Sequence, residues 1–278
     1  MGLEMQRLIA KLAQYVPQSL KTALRGDHGS PNPFANMIHR LLNGLPADRY
    51  PILPCAGRLK GYRMRVDWKI HRAFVYDSWE PEVTRAIDER VHPGMTVFDI
   101  GAQSGFYTLL LSRRVGSAGR VVAFEPLPAN FRMLEENIGL NKIENVMIRK
   151  DAVGDRSGEI SFHFPVEEAS LVAGPLLAGE STEDIFVNCV TLDDFVSIEQ
   201  IRPDLVKMDV EGAEGSVVEG ALRTIRDFHP ILVIELHDAG ERPRQHPVPV
   251  RLEALGYTID WLNERDYTTH FVATPRKT

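Results

Sequence analysis

Apolar and polar positions along the chain follow two periods, one helical and one of strand type, and the change from one to the other marks out its elements. Met5, Leu8, Ile9, Leu12, Val16, Leu20 and Leu24 recur at near-helical spacing with Pro17 among them, which predicts an amphipathic helix broken at the proline. Residues 26–33, with two prolines, two glycines, Ser30 and Asn32, read as a loop before a short helix over 34–42. Gly61 to Tyr76 alternates as two strands around Asp67 and Trp68, and a helix follows from Ser78 to Val91. Beyond Gly94 the pattern predicts strand 96–100, helix 105–114, strand 120–124, helix 128–140 and strand 145–149. After a β-rich insertion over 160–192 come strand 204–208, helix 213–226, strand 231–236, helix 248–255 and strands 257–262 and 269–273. The last two are close enough in sequence to form a hairpin. Strand and helix in turn predict an α/β fold, a mostly parallel sheet with helices on both faces. The chain divides on this reading into a helical extension over 1–60 and one α/β domain over 61–278. Such an extension can cap the domain, pack against a second copy in a homo-oligomer, or lie on a membrane face.

The most informative stretch is the end of strand 96–100, where Asp99-Ile100-Gly101-Ala102-Gln103-Ser104-Gly105 takes a buried strand through a glycine-bearing turn into a helix. That is the local shape of a nucleotide pocket. The next strand stops at Glu125, followed by Pro126, and a carboxylate at that tip can accept hydrogen bonds from both hydroxyls of a ribose. The G-x-G-x-x-G fingerprint of nicotinamide enzymes is absent: the glycines are Gly101 and Gly105, with Ala102 between them. A tight turn with Asp99 at its entrance suits a cofactor that has no pyrophosphate, the acid orienting an ammonium. S-adenosylmethionine fits that description. Its adenine would find a slot at the third strand, where Asp151 can accept from the exocyclic amine and Ala152 and Val153 supply apolar walls.

Composition narrows the setting. The chain has 278 residues, 44% of them hydrophobic and 25% charged, and its formal charge of −6 speaks against nucleic acid as a partner. Cys55 and Cys189 belong to no zinc-type cluster, so a reducing cytoplasm is expected. No apolar run is long enough for a transmembrane segment, and the N-terminus lacks the pattern of a secretory signal.

From about Trp79 to Leu236 a series of blocks stands in order: Trp79-Glu80-Pro81-Glu82, the Asp99 turn with Gly105-Phe106-Tyr107, Gly119 to Pro126, and Leu134 and Asn137. The series continues through Ala152-Val153-Gly154-Asp155, Thr191-Leu192-Asp193, Lys207 to Glu214, Gly220-Ala221 and Ile234-Glu235. On these blocks the chain resembles the FkbM family of S-adenosylmethionine-dependent methyltransferases. Gln103 stands where the family more often has Asn or His. The resemblance implies a Rossmann-like class I methyltransferase fold with a seven-stranded sheet, and transfer of a methyl group, usually to a hydroxyl oxygen.

Methyl transfer from a sulfonium is an in-line displacement, for which positioning alone supplies up to about 7–11 kcal/mol. A hydroxyl acceptor also calls for a general base, worth about 10²–10⁴-fold. Two strand ends offer candidates. One brings Lys207, Asp209, Glu211 and Glu214 around Gly212; the other brings Glu235 and His237, two residues apart and so on one face. Asp209 stands first, as base or as orienter of the ammonium or the acceptor hydroxyl, with a helix N-cap as its structural alternative. His237 follows as a base. Glu211 and Glu214 fall in a first helical turn, where carboxylates are favoured electrostatically. A divalent metal is not expected, because acidic clusters at strand ends are more often ion-paired than metallated; the set that would hold magnesium or manganese is Asp209, Glu235 and His237. For the acceptor, Trp79, Phe106 and Tyr107 offer flat apolar surface, Lys207 a charge, the insertion a lid, and Arg242 and Arg244 a second rim. Three readings stay open: an O-methyltransferase of a small-molecule or glycan hydroxyl, an N-methyltransferase of an amine or protein side chain, and a non-catalytic scaffold with this fold.

Overall fold

The computed structural model of the chain describes residues 2–13, 50–68, 71–165, 182–237, 243–264 and 268–276. The break at Pro17, the helix over 34–42, the middle of the insertion and Arg242 lie outside these residues. The elements begin with α1 (Gly2–Ala13), β1 (Ile52–Pro54), β2 (Arg63–Arg65), α2 (Arg72–Tyr76), α3 (Pro81–Arg90), β3 (Thr96–Ile100), α4 (Phe106–Val115), β4 (Arg120–Phe124) and α5 (Pro128–Leu140). They continue with β5 (Val146–Arg149), β6 (Ala152–Val153), β7 (Gly158–Pro165), β8 (Thr182–Val190), α6 (Leu192–Glu199), β9 (Leu205–Met208), α7 (Glu214–Glu219) and α8 (Leu222–Phe228). The last are β10 (Ile231–His237), α9 (Pro247–Ala254), β11 (Tyr257–Glu264) and β12 (Thr268–Pro275). Among the described residues no helix is long and apolar enough to cross a membrane. The chain forms two compact units, Met1–Thr84 with Glu135–Lys142, and Arg85–Leu134 with Ile143–Thr278.

In the first unit β1 and β2 pair antiparallel, with Leu53 opposite Met64 and both side chains fully buried. The free edge of β2 is satisfied by side chains. Asn137 Oδ1 accepts the Arg65 N–H at 2.6 Å while its amide donates to Arg65 O at 3.0 Å, and Asn141 does the same at Arg63, at 2.8 and 2.7 Å. The spacing permits it: four residues rise about 6 Å along a helix, and two residues advance about 6.6 Å along a strand. The strand expected towards Tyr76 is instead the helix α2. All five of its side chains are buried, so the segment has no polar face from which a period could be read, and it ends at Asp77 in the left-handed conformation, φ 57°.

The second unit is built on a seven-stranded sheet in the order β11-β12-β10-β9-β3-β4-β5. β5, β4, β3, β9 and β10 run parallel, and β12 enters antiparallel between β10 and β11 as half of a terminal hairpin. This is the class I methyltransferase sheet that the resemblance implied. The core along it includes Phe98, Phe124 and Phe195, whose rings meet edge to face with centroids 4.9–6.1 Å apart. From β3 the chain steps outward through β4 and β5, then returns to β9 on the other side of β3. The topology therefore reverses at the carboxyl ends of β3 and β9, where ligands of open α/β sheets bind.

Two features differ from the pattern read in the sequence. The β-rich insertion does pair in a small sheet, β6-β8-β7, but its end begins a helix that was not expected, α6, capped by Thr191 Oγ1 accepting the Asp194 N–H at 3.0 Å. The single helix expected over 213–226 is two, α7 and α8, parted at Gly220-Ala221. A Cβ on Gly220 would lie 1.8 Å from the carbonyl oxygen of Gly154, so two backbone segments approach there as only glycine permits.

Candidate active site

The turn after β3 is held from below. The N–H groups of Gly101 and Ala102 both donate to Phe124 O, at 3.0 and 2.9 Å, and Gly105 N–H closes the turn on Ala102 O at 2.8 Å. Gly101 has φ 79°, and a Cβ there would lie 1.7 Å from the Asp209 carbonyl oxygen, so the ends of β3 and β9 touch at this residue. Gln103, at φ 49°, turns its N–H onto Glu125 Oε2 at 2.8 Å. The other oxygen, Oε1, accepts the Leu127 N–H at 2.9 Å and the Asn130 amide at 3.4 Å. Burial pushes the Glu125 carboxyl up to about 7, against the hydrogen bonds from Leu127, Gln103 and Asn130 that favour its charged form.

Above this turn lies a cavity of about 290 Å³, near the lower end of the range of about 300–1,000 Å³ usual for small-molecule sites. Of the residues put forward for a cofactor, Gly101, Gln103, Glu125, Pro126, Asp151, Ala152 and Asp209 line it. Ala102, Ser104 and Gly105 form the turn beneath. Asp99 is fully buried there: Oδ2 accepts the Thr108 hydroxyl at 2.6 Å, and Oδ1 lies 3.7 Å from Lys207 Nζ. Burial raises its pKa, and Lys207 works in the opposite direction. Asp151 lines the cavity with one partner on each oxygen, Arg149 Nε at 2.9 Å and the Asn188 amide at 2.6 Å.

Lys207 and Tyr107, read from the sequence as acceptor contacts, are turned inward. Lys207 is 4% exposed; its ammonium lies 3.4 Å from Asp209 Oδ2 and from Gly101 O, and 4.7 Å over the Tyr107 ring, which is 6% exposed. The register explains this, because Lys207 pairs with Asp99 in the middle of the sheet and faces the same buried flank. Trp79 belongs to the first unit, where its ring meets Phe74 edge-on with centroids 5.0 Å apart. Arg244 rests over the Trp261 ring at 5.4 Å.

The second strand end gathers acids around one imidazole. His237 Nδ1 lies 2.9 Å from Glu214 Oε1, while Nε2 lies 3.2 Å from Glu211 Oε2 and 3.6 Å from Glu235 Oε1. Glu214, almost fully buried, also accepts the Gly212 N–H at 3.0 Å. Glu211 reaches the cluster through a left-handed backbone, φ 52°. Burial lowers the proton affinity of His237, but the Glu214 hydrogen bond and the charges of Glu211, Glu235 and Asp209 outweigh it and bring the pKa to about 9. Burial, then repulsion from Asp209, lifts Glu211 to about 7. His237 therefore already holds a proton at neutral pH, and of the residues put forward for catalysis Asp209 and Glu211 line the cavity. The trio Asp209, Glu235 and His237 also changes membership. Glu235 turns its other oxygen to His270 Nε2 at 3.2 Å, and the donors within 4.8 Å of one another are those of Asp209, Glu211 and His237.

Sequence reasoning missed Asn130, which lines the cavity, and His270, which backs Glu235. The signal for Asn130 was its place in the first turn of a helix, five residues after Glu125. No local signal marked His270.

Residues 99–269 match the methyltransferase FkbM domain family. The hexuronic acid methyltransferase AglP of Haloferax volcanii is 28% identical over 167 residues, which are 59% of this chain and 65% of that protein. Methyltransferase 1 of Beauveria bassiana is 25% identical over 165 residues, 51% of this chain and 65% of that protein. The chain thus spans just under two thirds of the length of these two relatives. Among solved structures, methyltransferase FkbM from Methylobacillus flagellatus KT has a TM-score of 0.47 at 17% identity, covering 90% of this chain and 72% of that one. With a family match that runs from the Asp99 turn into β12 and takes in more than half of its length, the chain belongs to the methyltransferase FkbM family.

Proposed function

We propose that the protein is an S-adenosylmethionine-dependent O-methyltransferase whose acceptor is a hydroxyl of a small molecule or glycan. The observation that carries the reading is the convergence, in one cavity, of the Gly101 turn, the Glu125 carboxylate, the Asp151 wall and Asp209. The donor set fits the cofactor. Asn130 Oδ1 is buried at the cavity without a hydrogen-bond partner among the described residues, and a ribose hydroxyl is a donor that would satisfy it. Glu125 would hold the ribose hydroxyls, Asp151 and Ala152 the adenine edge, and Asp209 the ammonium of the amino acid tail or the acceptor hydroxyl. When bound, the cofactor supplies an electrophilic methyl group on a positively charged sulfur.

The chain's own residues supply position and proton management. Lys207 neutralises Asp99 and sets the Asp209 carboxylate at the mouth of the cavity, 3.4 Å from its ammonium. Asp209 and Glu211 are the groups placed to take the proton of an acceptor hydroxyl, while His237, held by Glu214, keeps Glu211 oriented. A sugar acceptor is supported by the relative whose name specifies a hexuronic acid. The test is isothermal titration with S-adenosylhomocysteine, followed by mass spectrometry of hydroxyl panels, hexuronates included, incubated with labelled methyl donor. A bound nucleoside and a product heavier by one methyl group are expected. Absence of nucleoside binding would sink the assignment.

A further inference from the structure

We propose that Asp209, Glu211 and His237 form a binding site for one divalent cation of the magnesium and manganese class, at the edge of the cavity where the acceptor hydroxyl would arrive. The proposal deepens the methyltransferase reading and rests on it for the ion's purpose, but not for the ion's binding.

The geometry is that of a metal site with its supporting shell in place. One donor atom from each of the three residues lies within 4.8 Å of the other two. His237 Nε2 and Glu211 Oε2 are 3.2 Å apart, close to the edge of about 3 Å of an octahedron with bonds of about 2.1 Å. The imidazole is oriented from behind by a carboxylate: Glu214 Oε1 takes Nδ1–H at 2.9 Å and is fixed in turn by the Gly212 N–H at 3.0 Å. Ligating histidines are held in this way, because the hydrogen bond at Nδ1 sets the tautomer that leaves the Nε2 lone pair for the metal. Nε2 faces the carboxylates of Glu211 and Glu235, at 3.2 and 3.6 Å. One imidazole and two carboxylates form a donor set with a hard bias, which suits manganese or magnesium better than a thiolate-preferring metal.

Two of the ligands, Asp209 and Glu211, line the cavity, so the open coordination positions would face it. A hydroxyl on one of them would be acidified by the ion and give its proton to the carboxylate oxygen of Asp209 or Glu211 that is not on the ion. The oxygen would then form its bond to the methyl carbon while the carbon–sulfur bond breaks and its electron pair stays on sulfur.

The test uses the full chain, stripped with EDTA, desalted and titrated with manganese chloride at pH 8, with free Mn²⁺ read by electron paramagnetic resonance. One bound ion per chain is expected, with nitrogen modulation from a coordinated imidazole in the electron spin-echo signal of the wild type. Glu211→Gln and His237→Gln should each remove binding in the titrated range. Glu214→Gln should keep the stoichiometry and weaken affinity about 10–100-fold, as loss of an orienting partner does. S-adenosylhomocysteine binding, measured on the same samples, keeps the two readings apart: nucleoside bound without Mn²⁺ overturns this proposal alone, and Mn²⁺ bound without nucleoside overturns the function alone. Bound Mn²⁺ without nitrogen modulation would also overturn it, and that result needs no variant to fold.

Discussion

Glu125→Gln separates recognition of the cofactor from stability of the fold. In the wild type both carboxylate oxygens are occupied from the protein side, by the N–H groups of Gln103 and Leu127 and by the Asn130 amide. Glutamine keeps one acceptor oxygen and turns an NH2 toward the other backbone N–H, leaving a buried donor unsatisfied at a cost of about 1–3 kcal/mol. Against this, the wild-type carboxyl is raised by burial to about 7, so at pH 8 its ionised form costs the fold roughly 3 kcal/mol relative to an ordinary glutamate, a cost the neutral amide does not incur. The two effects offset each other, and the midpoint of urea unfolding at pH 8 should move little. Binding has no such compensation. A ribose held by a carboxylate loses charge-assisted hydrogen bonds worth about 1.5–3 kcal/mol, which weakens S-adenosylhomocysteine about 10–150-fold. Titration calorimetry on both proteins reads this directly. Affinity within twofold of the wild type would refute the placement of the sugar on Glu125, and a collapse in stability would refute the offset.

Further outcomes follow from the same geometry. Because Glu125 must ionise to accept from both ribose hydroxyls, S-adenosylhomocysteine affinity should rise as pH passes through about 7 and then level off; a flat profile from pH 5.5 to 8.5 would contradict this. The folded state holds that proton after an unfolded glutamate has lost it, so stability should fall between about pH 4.5 and 7, and the slope should be shallower in Glu125→Gln. Lys207→Met leaves Asp99 and Asp209 facing no ammonium and should destabilise the chain by about 3–5 kcal/mol in urea; a loss under about 1 kcal/mol would show that the charges are not coupled. Gly116→Ala, where a Cβ meets nothing within 4 Å but φ is 65° and ψ −173°, a region essentially only glycine adopts, should cost about 1–3 kcal/mol in the same assay. Gly101→Ala, with its Cβ 1.7 Å from Asp209 O, should cost clearly more; equal losses would refute the close approach of the two strand ends. Asp209→Asn should retain most of the S-adenosylhomocysteine affinity and lose turnover, and unchanged turnover would take Asp209 out of the chemistry.

The sheet was legible because its strands are buried on both faces and bounded by turns. Thr96–Ile100, Arg120–Phe124 and the helix Pro128–Leu140 fall where the pattern places them. Legibility failed where a period has no face to report. Arg72–Tyr76 is buried on every side, and Gly220 interrupts a helix because of Gly154, a residue far away in sequence. At the site, the strand tips named the residues but not their directions. Whether Lys207 points to solvent or to Asp99 depends on the register of β9 against β3, which no local pattern encodes. Glu211, rather than Glu235, joins Asp209 and His237 because its backbone is left-handed and because His270, from β12, engages Glu235. The proton on His237 is likewise held by acids that two segments bring together, Asp209 to Glu214 and Glu235 on β10.

The most direct measurement of the central claim is a crystal structure of the full chain grown with S-adenosylhomocysteine. Density for the nucleoside is expected in the cavity above Gly101, with its ribose hydroxyls within about 2.5–3.2 Å of the Glu125 carboxylate and its adenine beside Asp151 and Ala152. A nucleoside seated elsewhere, or a sugar turned away from Glu125, would contradict it.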